Sequence, residues 1–222
     1  KARQLMQKVS RSDFSNERFK WLSAQNINIG LAPCSAMRVN FVGELGWELH
    51  HPVEYQNHIF DQLMEAGKEF GLKPYGIRAM NSLRVEKSYK LVGTELSIEY
   101  SPYESGLDRF VHPNKGDFIG RAALDKWRAK GFSNKLVTME IHGVTDADVL
   151  GNNPIYDNGS VVGRATSGDF GFRLNKSIAL GMVKPELAKV GQKLEIDILG
   201  KMHEASIVEE SPYDSENKWL RA

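Results

Sequence analysis

The sequence predicts an α+β fold in which residues 1–131 mix helices with strands and residues 132–222 are all-β. Two observations support this division. Between residues 55 and 89 apolar side chains recur every three or four positions, which is the period of a helix with one buried face. After residue 131, six short segments rich in β-branched residues are separated by turn residues, which predicts a small six-stranded β-barrel.

The first half opens with helical spacing at its N-terminus and continues in strands up to residue 50. Residues 37–41 and 47–49 alternate apolar and polar side chains on either side of a Gly-Glu-Leu-Gly turn, the pattern of a β-hairpin with one dry and one wet face. If Phe41 and Trp47 share the dry face, Glu48 lies opposite Asn40.

Three helices complete the first half. Apolar spacing over residues 55–70 predicts a helix that ends at Gly71, because glycine readily takes the left-handed conformation of a helix stop. A second helix is predicted for residues 77–89 with Ile77, Met80 and Leu83 facing inward, and a third for residues 119–129. The charged residues expected along the edges of the second helix are Arg78, Arg84, Glu86 and Lys87.

The second half contains the six predicted barrel strands and a polar tail over residues 211–222. An Asp-Asn-Gly sequence at residues 157–159 predicts a tight hairpin turn, since Asn-Gly accommodates positive φ angles. The predicted strands cover residues 136–141, 154–156, 160–166, 178–183, 193–199 and 202–208.

Composition excludes several classes of function. Twenty-nine Lys and Arg residues balance 28 Asp and Glu residues, and this net charge of +1 argues against a nucleic-acid or membrane-surface partner. No apolar run approaches the roughly 18 residues of a membrane span. The single cysteine, Cys34, cannot form an intrachain disulfide and is expected as a packed thiol, which favours a reducing compartment. The six histidines show no metal-ligand spacing, so no metal site is predicted.

One pair of polar residues, Glu48 in the hairpin and Arg78 in the second helix, is suited to ligand binding. A carboxylate accepts two parallel N–H bonds and a guanidinium donates a fork of N–H groups, so together they suit a flat heterocycle with amide and amine edges. The alternative is that both form surface ion pairs, Glu48 with Arg38 and Arg78 with a nearby carboxylate.

Residues 41–50, Phe-Val-Gly-Glu-Leu-Gly-Trp-Glu-Leu-His, closely resemble the G-E-x-G-x-E segment of the glycine cleavage T-protein (aminomethyltransferase) family. Further segments resemble the same family in the same order, so that the resemblance covers essentially the whole chain. The residues of these segments are most similar to the C-terminal folate-binding part of dimethylglycine and sarcosine dehydrogenase-type flavoproteins. The further segments are residues 79–89, 99–107, 115–124, 166–168 and 178–183.

The resemblance implies a partial ferredoxin-like folate-binding portion followed by the barrel, and transfer of a one-carbon unit from an N-methyl amine to tetrahydrofolate. It implies that Glu48 and Arg78 bind the pterin ring. Phe41 stands where many relatives have Tyr, which retains stacking but removes a hydroxyl contact. Phe110 corresponds either to an aromatic wall of the folate channel or to a residue of the core.

The resemblance also implies that part of the catalytic machinery lies outside these residues. The family's catalytic Asp is expected upstream of Lys1, so no acid or base is assigned here, and FAD is expected only in a further N-terminal domain that would partner this chain. The alternatives are a glycine cleavage T-protein with a lipoyl carrier protein as partner, demethylation of a methylated sulfur compound, and a non-catalytic docking module. The expected location is the cytoplasm or, in a eukaryote, the mitochondrial matrix.

Overall fold

The computed structural model describes residues 1–144 and 146–222. The chain divides into two compact units, one formed by residues 1–80 with 216–222 and the other by residues 81–215. The domain boundary predicted after residue 131 lies within the second unit, and the division into domains at that residue stays a prediction.

The first unit contains helices packed against a three-stranded antiparallel sheet whose strand order is β1-β2-β3. Alternation along β1 buries Ile27 and Ile29 on one face of the sheet, where they join Phe14, Phe19 and Ile59 in the core. The other face is exposed, as is usual for an antiparallel sheet covered on one side. The elements are α1 (Ala2–Val9), β1 (Ala24–Ile29), β2 (Ala32–Met37), β3 (Glu48–His50) and α2 (Gln56–Gly67).

The second unit is built around a closed six-stranded barrel with the order β4-β7-β6-β5-β8-β9. All of its strand pairs are antiparallel, and its interior is filled by branched aliphatic side chains. The predicted six-stranded barrel is therefore confirmed. The strands are β4 (Lys135–Ile141), β5 (Pro154–Asp157), β6 (Ser160–Gly171), β7 (Lys176–Val183), β8 (Lys193–Ile198) and β9 (Lys201–Val208).

The predicted helices are present with shifted ends. Helix α2 is flanked by single 3-10 turns, and Gly71 follows with φ of 72° as the helix stop requires. Helix α3 (Ile77–Val85) ends four residues before the predicted residue 89, and α4 (Arg121–Lys130) matches the third prediction closely. A short helix α5 (Lys218–Arg221) lies in the tail, which was predicted only to be polar.

The predicted hairpin register is wrong. Strand β3 pairs with β2 so that Glu48 lies opposite Met37, and residues 38–47 form a loop between the two strands. The chain leaves the sheet after Met37 because Asn40 Oδ1 accepts the backbone N–H groups of Val42 and Gly43, which closes a local turn. Asn40 therefore lies in this loop and has no partner strand opposite it.

The predicted inward face of the second helix is wrong at its first residue, while Met80 and Leu83 are half-buried. Ile77 is 77% exposed, whereas Arg84, Glu86 and Lys87 are buried. Burial of these charges is possible because each has partners distant in sequence. Arg84 lies 3.5 Å from Glu95, Glu86 pairs with Arg173, and Lys87 Nζ donates to the carbonyl groups of Tyr213 and Asp214 at 3.0 and 2.7 Å.

Candidate functional site

Glu48 begins the edge strand β3 and points to the exposed face of the three-stranded sheet. Half of its side chain is accessible to solvent, and its Oε2 atom lies 3.4 Å from Nε2 of His50, the next residue on the same face. Its carboxylate therefore has room to accept hydrogen bonds from a ligand.

The sheet register places further polar groups beside this carboxylate. Asn26 lies opposite Ser35, and Ser35 lies opposite His50, so the three side chains form one row across β1, β2 and β3. Glu48 stands in the adjacent row, opposite Met37. A cleft of about 420 Å³ opens along this face. Its lining includes Asn26, Asn28, Pro33, Ser35, His50 and Pro52.

The loop that leads into β3 is anchored by Trp47. Its ring packs edge-on against Phe14 and Phe19, with centroids 5.2 and 5.9 Å away, and the guanidinium of Arg38 lies 5.9 Å from its centroid. Because Trp47 is held in the core, Glu48 emerges on the opposite, exposed face. Phe41 lies half-buried within this loop.

The surface ion-pair alternative requires that Arg38 pairs with Glu48, and the structure does not show this pair. Arg38 is 2% exposed, and its guanidinium donates to the carbonyl oxygens of Phe19, Arg221 and Ala222. Burial lowers the pKa of Arg38, with the neighbouring Arg3 contributing. This arginine is a structural clamp within the first unit.

Arg78, the second residue of α3, is exposed. Within residues 1–144 and 146–222 it makes no hydrogen bond or ion pair, so its guanidinium donors are free and the expected pairing with a nearby carboxylate is not formed. The described residues also show no hydrogen bond or ion pair between Arg78 and Glu48. The two residues thus belong to the same compact unit without touching each other.

Phe110 belongs to the second unit, where it ends a short 3-10 helix, Asp108–Phe110. Its side chain is 63% exposed, and the guanidinium of Arg109 lies 4.9 Å from the centroid of its ring. The structure therefore contradicts the alternative in which Phe110 is a core residue.

A buried ionic network orders the chain after α3, and the sequence did not single out its central carboxylate, Glu95. Glu95 is fully buried and accepts hydrogen bonds from Ser167 and Thr94, at 2.5 and 2.7 Å, beside Arg84. Burial alone raises the pKa of Glu95, but hydrogen bonds from Ser167 and its neighbours outweigh burial and hold the pKa below its usual value. No local pattern marks Glu95, since Ser167 lies on β6 and Arg84 on α3.

Two classes of site are not found in the part of the chain that the structure describes. Its histidines, cysteine and carboxylates form no group of three or more that could hold a metal ion. Among the same residues, every helix is too short or too polar to cross a bilayer.

The architecture is that of an α+β protein with a C-terminal six-stranded barrel, and it matches a known structure. The glycine cleavage system aminomethyltransferase T from Bartonella henselae superposes with a TM-score of 0.83 over 96% of this chain and 57% of that protein. At 21% sequence identity this likeness establishes the shared fold.

Sequence comparison defines the family. Residues 1–115 match the family described as GCVT N-terminal domain, and residues 134–214 match the glycine cleavage T-protein C-terminal barrel domain. The chain belongs to the glycine cleavage T-protein family, as the resemblance predicted.

Relatives of two kinds align with nearly the whole chain. The human mitochondrial dimethylglycine dehydrogenase is 40% identical over 210 residues, which cover 94% of this chain and 24% of that protein. An aminomethyltransferase from Desulfitobacterium hafniense (strain DSM 10664 / DCB-2) is 33% identical over 207 residues, which cover 93% of this chain and 56% of that protein. The chain thus spans about a quarter of the first relative and just over half of the second.

Proposed function

We propose that this chain is the folate-binding part of an enzyme that transfers a one-carbon unit from an N-methyl amine to tetrahydrofolate. The proposal is supported by membership of the T-protein family and by the relatives named dimethylglycine dehydrogenase and aminomethyltransferase. The higher identity to the dehydrogenase favours a dimethylglycine or sarcosine type of amine as the source of the carbon.

The observation that carries the proposal is the accessible carboxylate of Glu48, which stands on the exposed sheet face in the row next to Ser35 and His50, two residues that line an open cleft. A pterin ring presents an amide N–H beside an amine N–H on one edge, and a carboxylate accepts both in parallel. We therefore propose that Glu48 fixes the pterin by this edge. A ligand can replace the contact between Glu48 and His50, because both side chains are half exposed and Oε2 of Glu48 lies 3.4 Å from Nε2 of His50.

The remaining predicted site residues of the first unit take complementary roles in the proposal. Arg78 offers free N–H donors to the carbonyl side of the pterin, since no described residue occupies its guanidinium. Phe41 supplies aromatic surface for stacking against a ring. The role of Phe110 in folate binding stays a prediction.

The catalytic acid or base is proposed to lie outside these residues. In a dehydrogenase-type enzyme a flavin domain outside this chain would supply the electron acceptor for oxidation of the amine, and this chain would bind the folate that receives the carbon. Holding the folate nitrogen next to an electrophilic carbon would convert a bimolecular step into one within a complex. A cytoplasmic or mitochondrial matrix location is part of the same proposal.

A second candidate is the aminomethyltransferase reaction with a lipoyl carrier protein as partner. It is supported by the D. hafniense aminomethyltransferase, which is 33% identical over 93% of this chain. Both candidates require the same folate site and differ in the donor of the carbon.

The proposal is tested by titrating the chain with tetrahydrofolate in a calorimeter under reducing conditions. Loss of a charge-assisted hydrogen bond costs about 1.5–3 kcal/mol, so Glu48→Gln is expected to weaken binding about 10- to 100-fold. Glu54→Gln, an exposed glutamate before α2, is the matched control and leaves the affinity unchanged. A wild-type chain that does not bind tetrahydrofolate, or a Glu48→Gln variant that binds equally well, would contradict the proposal.

A further inference from the structure

We propose that the row formed by Asn26, Ser35 and His50 is the floor on which the pterin ring lies, while Glu48 holds the ring by its edge. This inference rests on the proposed function and assigns to the site three residues that the sequence did not single out.

The chemistry of this sheet face sets it apart from an ordinary solvated surface. Eight side chains project from the exposed face, and Glu48 is the only Asp, Glu, Lys or Arg among them, although such residues make up 26% of the chain. A sheet face that only meets water is usually covered by long charged side chains. The eight residues are Ala24, Asn26, Asn28, Pro33, Ser35, Met37, Glu48 and His50.

The sizes of these side chains leave a shallow, level surface. Neighbouring strands lie about 4.8 Å apart, so the row from Asn26 through Ser35 to His50 spans about 10 Å, which is enough for a bicyclic ring. Ser35, in the middle of the row, is small and leaves the centre low. The cleft over this surface has a volume of about 420 Å³, within the range of pockets for small ligands.

The hydrogen-bonding groups match an uncharged polar heterocycle. In this arrangement the ring lies over Ser35, in the middle of the row, and the Asn26 amide and the His50 imidazole, at the two ends of the row, stand beside the ring where they can meet the donors and acceptors on its edge. A pterin carries alternating donors and acceptors around its ring and no net charge, so neutral partners satisfy it without burying a charge. Glu48 lies beside the row on the same face, where its carboxylate meets the amide and amine edge.

The test uses the whole 222-residue chain and two probes, tetrahydrofolate and 6-methyltetrahydropterin, which is the ring without its benzoylglutamate extension. Asn26→Ala removes a hydrogen-bonding group and Ser35→Leu raises the floor, and each is expected to weaken both probes by about three- to tenfold. Asn57→Ala, an exposed asparagine on α2, is the control and binds both probes as the wild type does. Ser35→Ala removes only the hydroxyl and adds no volume, so it serves as the second variant if Ser35→Leu disturbs the fold.

The outcomes separate this inference from the function on which it rests. If the wild type binds both probes, Glu48→Gln weakens binding, and Asn26→Ala and both Ser35 variants bind as tightly as the wild type, the floor is overturned while the proposed function stands. If the wild type binds neither probe, the proposed function fails and the floor fails with it. If Asn26→Ala and the Ser35 variants weaken the binding of both probes while Asn57→Ala binds as the wild type does, the inference is supported.

Discussion

Replacing Glu95 with alanine should lower the free energy of unfolding of the second unit far more than replacing an exposed glutamate does. The carboxylate is fully buried and lies 3.5 Å from the guanidinium of Arg84, whose side chain is 3% exposed. It also accepts hydrogen bonds from Ser167, Thr94 and the backbone N–H of Leu91, at 2.5, 2.7 and 2.8 Å. Glu95→Ala removes the carboxylate that these donors share and leaves the Arg84 charge without its ion-pair partner.

The expected magnitude follows from what remains behind. Removing one partner of a buried ion pair costs about 3–5 kcal/mol, because the other charge stays buried and unpaired. A domain is stabilised by only about 5–15 kcal/mol in total, so the loss is a large share of the stability. Glu99 provides the matched control, since its pair with Arg164 is 60% exposed on the glutamate side and an exposed pair contributes about 0–1 kcal/mol.

The assay is urea unfolding at neutral pH, followed by circular dichroism, for the wild type, Glu95→Ala and Glu99→Ala. The Glu95→Ala midpoint is expected to fall well below that of Glu99→Ala, which should stay close to the wild type. Equal midpoints for the two variants would refute the reasoning, because they would mean that the buried carboxylate stabilises the fold no more than a surface one.

Two further predictions concern acid and the single thiol. Burial raises the pKa of Glu104, but hydrogen bonds from Ser101 and Asn134 more than compensate and hold the pKa below that of an unfolded glutamate, about 4.3. The stabilising contribution of Glu104 is therefore complete above that pH and is lost as the pH falls through the lower pKa of the folded state. Glu104→Gln should reduce the loss of unfolding free energy between neutral and acidic pH. An unchanged dependence of the unfolding free energy on pH would refute this. Cys34 is 5% exposed and burial raises its pKa, so it should react with Ellman's reagent only after denaturation, and rapid reaction of the native chain would show the assignment of its packing to be wrong.

The barrel was predictable because its information is local. Strand pairs such as β8 and β9 carry alternating apolar residues on both sides of a short turn, so periodicity and turn chemistry agree. The extension of β6 to Gly171 was not predictable, because residues 167–171 lack apolar alternation and are held as a strand by pairing with β7. Information of that kind resides in the partner strand.

The candidate site was predictable in part for the same reason. Glu48 stood out through its chemistry and its motif, and the structure places it on an open polar face. Its register did not follow from the sequence, since the turn at Asn40 interrupts the alternation that links the two strands. Asn26 and Ser35 carried no signal at all, because an asparagine and a serine on a strand become part of a site only when β1 and β2 are paired.

The most direct test of the central claim is a crystal structure of this chain with tetrahydrofolate bound. We expect the amide and amine edge of the pterin at about 2.7–2.9 Å from the carboxylate oxygens of Glu48, with the ring over the row that contains Ser35. A pterin bound elsewhere on the chain, with Glu48 still directed to solvent beside His50, would contradict the account.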